Sequence, residues 1–343
     1  MITGLQKETS VVFKAAMNTK EQLLRYLKKE QGRFVSGEKV SSRLAISRSA
    51  IWKQISRLKE EGYDIESSPR RGYALRSIPD CLLAGEIREG LNTRLIGRGP
   101  IFHFRQTDNT NNQAKALAYE GAPEGALVIA EEQSQGRGRR GRTWFSPHSQ
   151  GIYATVILRP LIPLSETPKL TLLAAVAAAE ALETQTGLPI RIKWPNDILA
   201  NGRKMAGILT EIGTEMDAVD FAVIGMGLNV NVPQASFPSD LRYPATSILI
   251  ETGRPFPRIR LLQSWLEALE KYYSLLLQGD FDNILSRWKF LTDIVGSRVA
   301  VEMPGHRYIG EVQDVYGNGV LILKESDGAL QRIFSGDVTL LTV

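Results

Sequence analysis

Apolar residues recur at helical spacing in three short runs between Thr19 and Arg76. Leu23, Leu24 and Leu27 share one face of a first segment that Thr19 is placed to cap. Ser36-Gly37-Glu38 opens a second, with Val40 and Leu44 inward. Ser47 caps a third, Arg48 to Glu61, which Gly62 ends. Its inward positions, Ile51, Ile55 and Leu58, stand at i, i+4 and i+7. Its other face carries Arg48, Ser49, Trp52, Lys53, Ser56 and Arg57. Two extended stretches then flank Ser67-Ser68-Pro69-Arg70-Arg71-Gly72, the pattern of a hairpin with a basic tip. Two short helices joined by a tight turn, with the hairpin as a wing, predict a winged helix-turn-helix over 18–77, the helix-turn-helix itself at about 36–55. Residues 1–17 lack a pattern and read as a loose extension. Ile78-Pro79-Asp80 reads as a linker.

Beyond the linker the pattern alternates. Strands are predicted at Phe102–Arg105, Ala126–Glu131, Ile152–Leu158, Ile190–Trp194, Met205–Ile212 and Phe221–Met226. Helices are predicted at Asn112–Tyr119, Leu170–Thr186, Ile259–Leu277 and near Trp288. The Ala-rich Leu170 helix is apolar nearly all round in its middle, hence buried. Residues 81–290 therefore predict a domain built on a mixed α/β sheet. From 293 to 343, short strands are split by Pro304-Gly305, Tyr316-Gly317-Asn318-Gly319 and Asp327-Gly328, as in a small SH3-like β-barrel. The fold class expected is α+β, multidomain.

Composition narrows the classes. With 43% hydrophobic and 23% charged residues among 343, the chain has material for a real core, which excludes global disorder. The net charge of +5 is unevenly held. Residues 1–76 carry 16 Lys and Arg against 8 Asp and Glu, a net of +8; the other 267 residues carry 26 against 29, a net of −3. A basic first fifth points to a polyanion partner. One cysteine, Cys81, permits no internal disulfide and favours a reducing, cytoplasmic setting. Apolar runs are too short for a membrane span, the N-terminus lacks a signal-like apolar region, and His103, His148 and His306 show no zinc-ligand spacing.

Four segments carry candidate chemistry. Gly136-Arg137-Gly138-Arg139-Arg140-Gly141-Arg142-Thr143-Trp144 matches the dinucleotide pattern G-x-G-x-x-G literally. It opens no helix, however, since Trp144-Phe145-Ser146-Pro147 follows. Its glycines let backbone amides approach an anion and its arginines supply forked, permanently charged donors, so it reads as a loop that orders over a small anion. Lys193-Trp194-Pro195-Asn196-Asp197 offers oxygen ligands after a strand, and Lys204 begins an otherwise apolar strand, placed to meet an anionic oxygen. In Ile224-Gly225-Met226-Gly227-Leu228-Asn229, alternate glycines strip one strand face and leave room for a ligand. Thr107-Asp108-Asn109-Thr110-Asn111 gathers small hydrogen-bonding side chains before a helix.

Together GRGRRGRTWFSP, KWPNDI, GRKMAGILTE and IGMGLNVN, in that order, resemble the bacterial biotin protein ligases that double as biotin operon repressors (the BirA family). The resemblance runs from about residue 19 to the end; the DNTN segment departs in having Asn109 where the family often has Ser. It implies that Asn109, Thr110, Asn111 and Gln133 contact biotin, and that Arg137, Gly138 and Arg139 belong to the loop closing over biotin and its adenylate. It implies that Lys204 meets the biotin carboxylate and phosphate. Arg142, Trp144, Lys193, Asn196, Gly225 and Asn229 fall on the ATP side, with Asn196 and Asp197 toward Mg2+. Catalysis then rests on Arg139, Lys204 and Asp197, with ATP and biotin as substrates. DNA contacts fall to Ser36, Ser47, Arg48, Ser49, Lys53, Arg57, Arg70 and Arg71. The partners implied are a carrier-protein lysine, operator DNA and a second copy paired through the central domain, with no membrane. Three alternatives stay open: a lipoate or octanoate ligase, a DNA-binding repressor whose central domain only senses biotin, and a ligase whose helix-turn-helix regulates nothing.

Overall fold

Leu23, Leu24 and Leu27 are buried on one face of helix α1 (Thr19–Lys29) in the computed structural model, which describes residues 19–215, 218–241, 243–303, 305–334 and 336–341. The extension expected over 1–17 lies outside the described residues. Thr19, expected as the cap, is the first helical residue. Helix α2 (Gly37–Leu44) is capped by Ser36, whose hydroxyl accepts from Lys39 N at 3.2 Å; α3 (Arg48–Glu60) is capped by Ser47, which accepts from Ala50 N at 3.2 Å. Such caps satisfy amides that the first turn leaves unpaired, for about 1 kcal/mol each. Ile51, Ile55 and Leu58 are buried as their spacing requires. Strands β1 (Asp64–Ser68) and β2 (Gly72–Ser77) form the antiparallel wing. Gly72 has φ +97, and a Cβ there would stand 2.0 Å from the Val35 carbonyl oxygen, so only glycine fits this close crossing.

The chain divides after Pro79 into two compact units. The second begins with α4 (Ala84–Arg88) and continues through β3 (Ile101–Phe104), α5 (Thr110–Tyr119), β4 (Leu127–Ala130), β5 (Gly151–Leu158), α6 (Pro168–Thr186), β6 (Ile190–Lys193), β7 (Asp197–Ala200), β8 (Arg203–Glu215), β9 (Ala218–Asn229), α7 (Ile248–Thr252), α8 (Arg258–Leu277) and α9 (Phe281–Phe290). Its sheet has the order β3-β4-β5-β9-β8-β7-β6, antiparallel except for β3 beside β4. Alternation along β4 sends Leu127 and Ile129 to the face covered by α6, and Val128 to the face covered by α5. Helix α6 is buried through its middle and ends at Gly187, φ +69.

Strands β10 (Arg298–Met303), β11 (His306–Val315), β12 (Leu321–Glu325), β13 (Leu330–Ile333) and β14 (Asp337–Leu340) form a five-stranded antiparallel sheet in the order β13-β12-β11-β10-β14. Its inward Val299, Val301, Val312 and Val338 belong to the same hydrophobic cluster as α6 and α8. That continuity sets β14 beside the loop between β4 and β5, where the arginines are.

Candidate active site

The cleft is built on a strip of missing side chains. Gly207 on β8 stands opposite Gly227 on β9, and Gly225 lies two residues before it. A Cβ at Gly225 would fall 2.1 Å from Asn111 Oδ1, and one at Gly227 2.5 Å from the Trp144 indole. The glycines therefore let a helix cap and an aromatic ring lie against the sheet.

The first wall is the start of α5. The helix begins two residues before the expected Asn112, because Asn109 caps it: Asn109 Oδ1 accepts from Asn111 N at 2.9 Å and Asn112 N at 3.3 Å. Thr110 N donates to Gln133 Oε1 at 2.9 Å, and Gln133 Nε2 donates to Ser146 Oγ at 2.9 Å. The Thr155 hydroxyl donates to Asn111 Oδ1 at 2.7 Å, while Asn111 Nδ2 reaches Glu211 Oε2 at 2.9 Å. Asn109, Thr110 and Asn111 are thus buried, held from behind, and turned to one end of the cleft. Burial pushes the Glu211 carboxyl up, but hydrogen bonds from Lys115 and Asn111 outweigh it and hold it below its ordinary range.

The second wall is cationic. Lys204 Nζ sits 2.7 Å from Asp197 Oδ1 and 5.4 Å from the centre of the Trp144 ring. Asn196 donates to the Ile208 carbonyl at 2.7 Å, and its own oxygen accepts from Arg139 at 3.4 Å. Burial draws the Arg139 guanidinium down from its usual value, against the opposing charges of Asp337 and Asp197. The indole N–H of Trp144 is buried without a hydrogen-bond partner.

The arginine loop is itself folded. Gly138 N donates to the Arg142 carbonyl at 2.7 Å and Trp144 N to the Gly136 carbonyl at 2.8 Å, closing a small hairpin. Asp337 on β14 ties it down: Arg142 meets both carboxylate oxygens, and Arg140 approaches at 3.3 Å. Arg137 turns outward onto Asn112.

The cleft brings together every cleft residue named from the sequence except Lys193, whose Nζ lies 3.6 Å from the centre of the Tyr243 ring; Tyr243 lines the cleft instead. Asn229 lines it while its amide donates to the Thr246 carbonyl at 3.0 Å. Sequence reasoning missed Asp337 and Thr155. Thr155 sits inside a wholly buried strand, where a small side-chain hydroxyl was a signal; Asp337, about two hundred residues from the loop, had none. Among the described residues no group of three His, Cys, Asp or Glu is arranged to hold a metal ion.

In the winged helix, Arg48, Ser49, Lys53, Arg57, Arg70 and Arg71 are all exposed, while the Ser36 and Ser47 hydroxyls serve as caps. Arg71 is parked over the Phe34 ring at 3.9 Å and bonded to Glu66.

Residues 103–229 match the biotin/lipoate A/B protein ligase family, residues 19–74 an HTH domain, and residues 294–341 the biotin protein ligase C terminal domain. The bifunctional ligase/repressor BirA of Bacillus subtilis is 39% identical over 321 residues, 94% of this chain and 98% of that protein. Its Escherichia coli namesake is 31% identical over 310 residues, 90% and 94% of the two chains. The biotin protein ligase of Aquifex aeolicus, solved in complex with biotin and ATP, superposes with a TM-score of 0.61 at 25% identity, covering 71% of this chain and 99% of that one.

Proposed function

The chain belongs to the bifunctional ligase/repressor BirA family, and on that premise we propose how its cleft activates biotin with ATP and passes it to a lysine of the biotin carboxyl carrier protein of acetyl-CoA carboxylase. The observation that carries this reading is the convergence in one cleft of a polar helix cap, a glycine floor and a cationic wall. The cap residues Asn109, Thr110 and Asn111, with Gln133, suit the ureido ring, which needs both donors and acceptors. Gly225 and Gly227 let Asn111 and Trp144 lie close against the sheet, and those two side chains with Gly207 and Lys204 bound the path of the carboxylate arm. Lys204 and Arg139 stand where that carboxylate meets the α-phosphate.

Two anions must touch for the first step, and Lys204 and Arg139 offset their repulsion. The carboxylate oxygen attacks the α-phosphorus, pyrophosphate leaves, and biotinyl-5′-AMP forms. The arginine loop keeps water from this mixed anhydride. In the second step the carrier lysine attacks the acyl carbon and AMP departs with the bonding pair. Asp197 accepts the proton the amine sheds. The Trp144 ring and the Arg142 side chain stand on the nucleotide side of the cleft, with Lys193 acting through Tyr243. Asp197 and Asn196 would be the residues to hold Mg2+ arriving with the nucleotide, one carboxylate and one amide, and the ion would offset phosphate charge there.

The winged helix, taken as 18–77, reads operator DNA of biotin synthesis genes; 81–290 is the ligase domain and 293–343 the smaller one that carries Asp337. A single reading head per chain suits a homodimer on a palindrome, paired through the ligase domain. Among the described residues no helix is long and apolar enough to cross a membrane. A single cysteine suits a reducing compartment, and the cytoplasm is the one we assign. Isotope exchange between pyrophosphate and ATP tests the first step: exchange should require biotin. Exchange driven by octanoate or lipoate instead would overturn the substrate assignment.

A further inference from the structure

Trp52 stands on the exposed face of α3 with 66% of its surface open. Among the described residues of the winged-helix unit, the other exposed large apolar side chain is Ile78, which belongs to the linker and is 38% open. Packing does not need the indole outside. Ile51, Ile55 and Leu58 complete the core stripe of α3 and are almost wholly buried. Trp52 is the fifth residue of that helix, in its N-terminal half, with Arg48 and Ser49 one turn before and Ser56 one turn after. The Ser49 hydroxyl is 2.9 Å from that of Ser47, turned to the cap, which leaves the indole as the feature that projects between the arginines and lysine.

The charge around it names the occupant. Arg48, Lys53 and Arg57 are exposed on the same helix, Arg70 is exposed at the wing tip, and residues 1–76 carry +8. A duplex meets these cations with phosphates on both sides of the major groove. The apolar group at the floor of that groove is the 5-methyl of thymine. We propose that Trp52 reads a thymine of the operator through that methyl group, as a sequence-specificity residue. The proposal rests on the reading of the winged helix as a DNA-binding domain.

The test uses the full chain supplied with biotin and ATP. Duplexes selected from a randomised pool define a preferred site, and each thymine in it is then replaced by uracil, which removes the methyl and keeps every hydrogen bond. One replacement per half-site should weaken the parent protein about tenfold and leave Trp52→Ala unaffected. Trp52→Ala should bind the unmodified site about tenfold more weakly, with the salt dependence of affinity unchanged, because an indole neutralises no phosphate. Arg70→Ala should lower that salt slope by about one. Trp52→Ala should unfold at the parent's temperature, since the residue lies outside the core. Equal responses of parent and Trp52→Ala to every uracil overturn the proposal while salt-dependent binding upholds the DNA reading. Failure of the parent to bind any duplex in a salt-dependent way sinks both. Shielding of Trp52 fluorescence from iodide by self-association without DNA overturns the proposal in favour of a protein surface.

Discussion

Lys204 and Glu131 show two uses of paired charge, one partly open to the cleft and one buried. Among the described residues Lys204 has one carboxylate partner, Asp197 at 2.7 Å, and it lines the cleft. Removing it leaves the incoming carboxylate opposite Asp197 with one cation fewer. Lys204→Ala should weaken biotin binding at least tenfold by calorimetry with the unfolding temperature little changed; equal affinity would contradict its role. Glu131, at the end of β4, is instead fully committed: it accepts from Leu82 N at 2.7 Å and Ser149 Oγ at 3.1 Å, meets His103 at 3.2 Å, and pairs with the fully buried Arg258 at 2.8 Å. Burial raises its pKa, but the His103 contact, the Arg258 charge and the Leu82 amide outweigh that and hold it at about 2, against 4.5 for a free carboxyl. A depressed carboxyl stabilises the fold above the unfolded value and loses that contribution as pH falls. Chemical denaturation should therefore find Glu131→Gln less stable at neutral pH by about 3 kcal/mol, the gap closing between pH 4.5 and 2.

At the scale of elements, the arginine loop and β14 act together. Asp337 meets Arg140 and Arg142 and so holds the hairpin that carries Arg139. Asp337→Asn should speed amide exchange at Gly138 and Arg142 and weaken retention of the activated intermediate, with the five-stranded sheet intact; unchanged exchange would show the loop holding itself. Elements with a strong period were legible from sequence: the i, i+4, i+7 stripe of α3, the Ala-rich α6, and the buried β4 and β5. The hairpin of β8 and β9 was expected as Met205–Ile212 and Phe221–Met226, yet it spans Arg203–Glu215 and Ala218–Asn229. At Arg203, Lys204, Thr214, Glu215 and Ala218 the residues are polar or exposed, so hydrophobic patterning stops before the hydrogen-bond ladder does; at the other end Gly227 interrupts the apolar run ahead of the buried Leu228 and Asn229. Strand β7 went unread because four residues between two turns carry too little pattern. Of the site, the side chains within motifs were readable; the ties that position them, from Thr155, Glu211 and Asp337, depend on tertiary neighbours.

For the whole molecule, the +5 divides into +8 before residue 77 and −3 after it, and four arginines of the second part sit in one seven-residue loop. Of the first group, Arg48, Lys53, Arg57, Arg70 and Arg71 are exposed on the winged helix; of the second, Arg137, Arg139 and Arg142 line the cleft. Affinity for a duplex should thus fall steeply with salt and rise when biotin and ATP are both present; binding indifferent to salt would contradict a phosphate-driven contact. The central claim concerns the cleft. Its most direct test is to incubate the protein with ATP, biotin and an isolated biotin carboxyl carrier domain and to locate the modified residue by mass spectrometry. One carrier lysine should gain biotin, only when ATP is present; an unmodified carrier, or one acylated from lipoate or octanoate but not from biotin, would contradict the account.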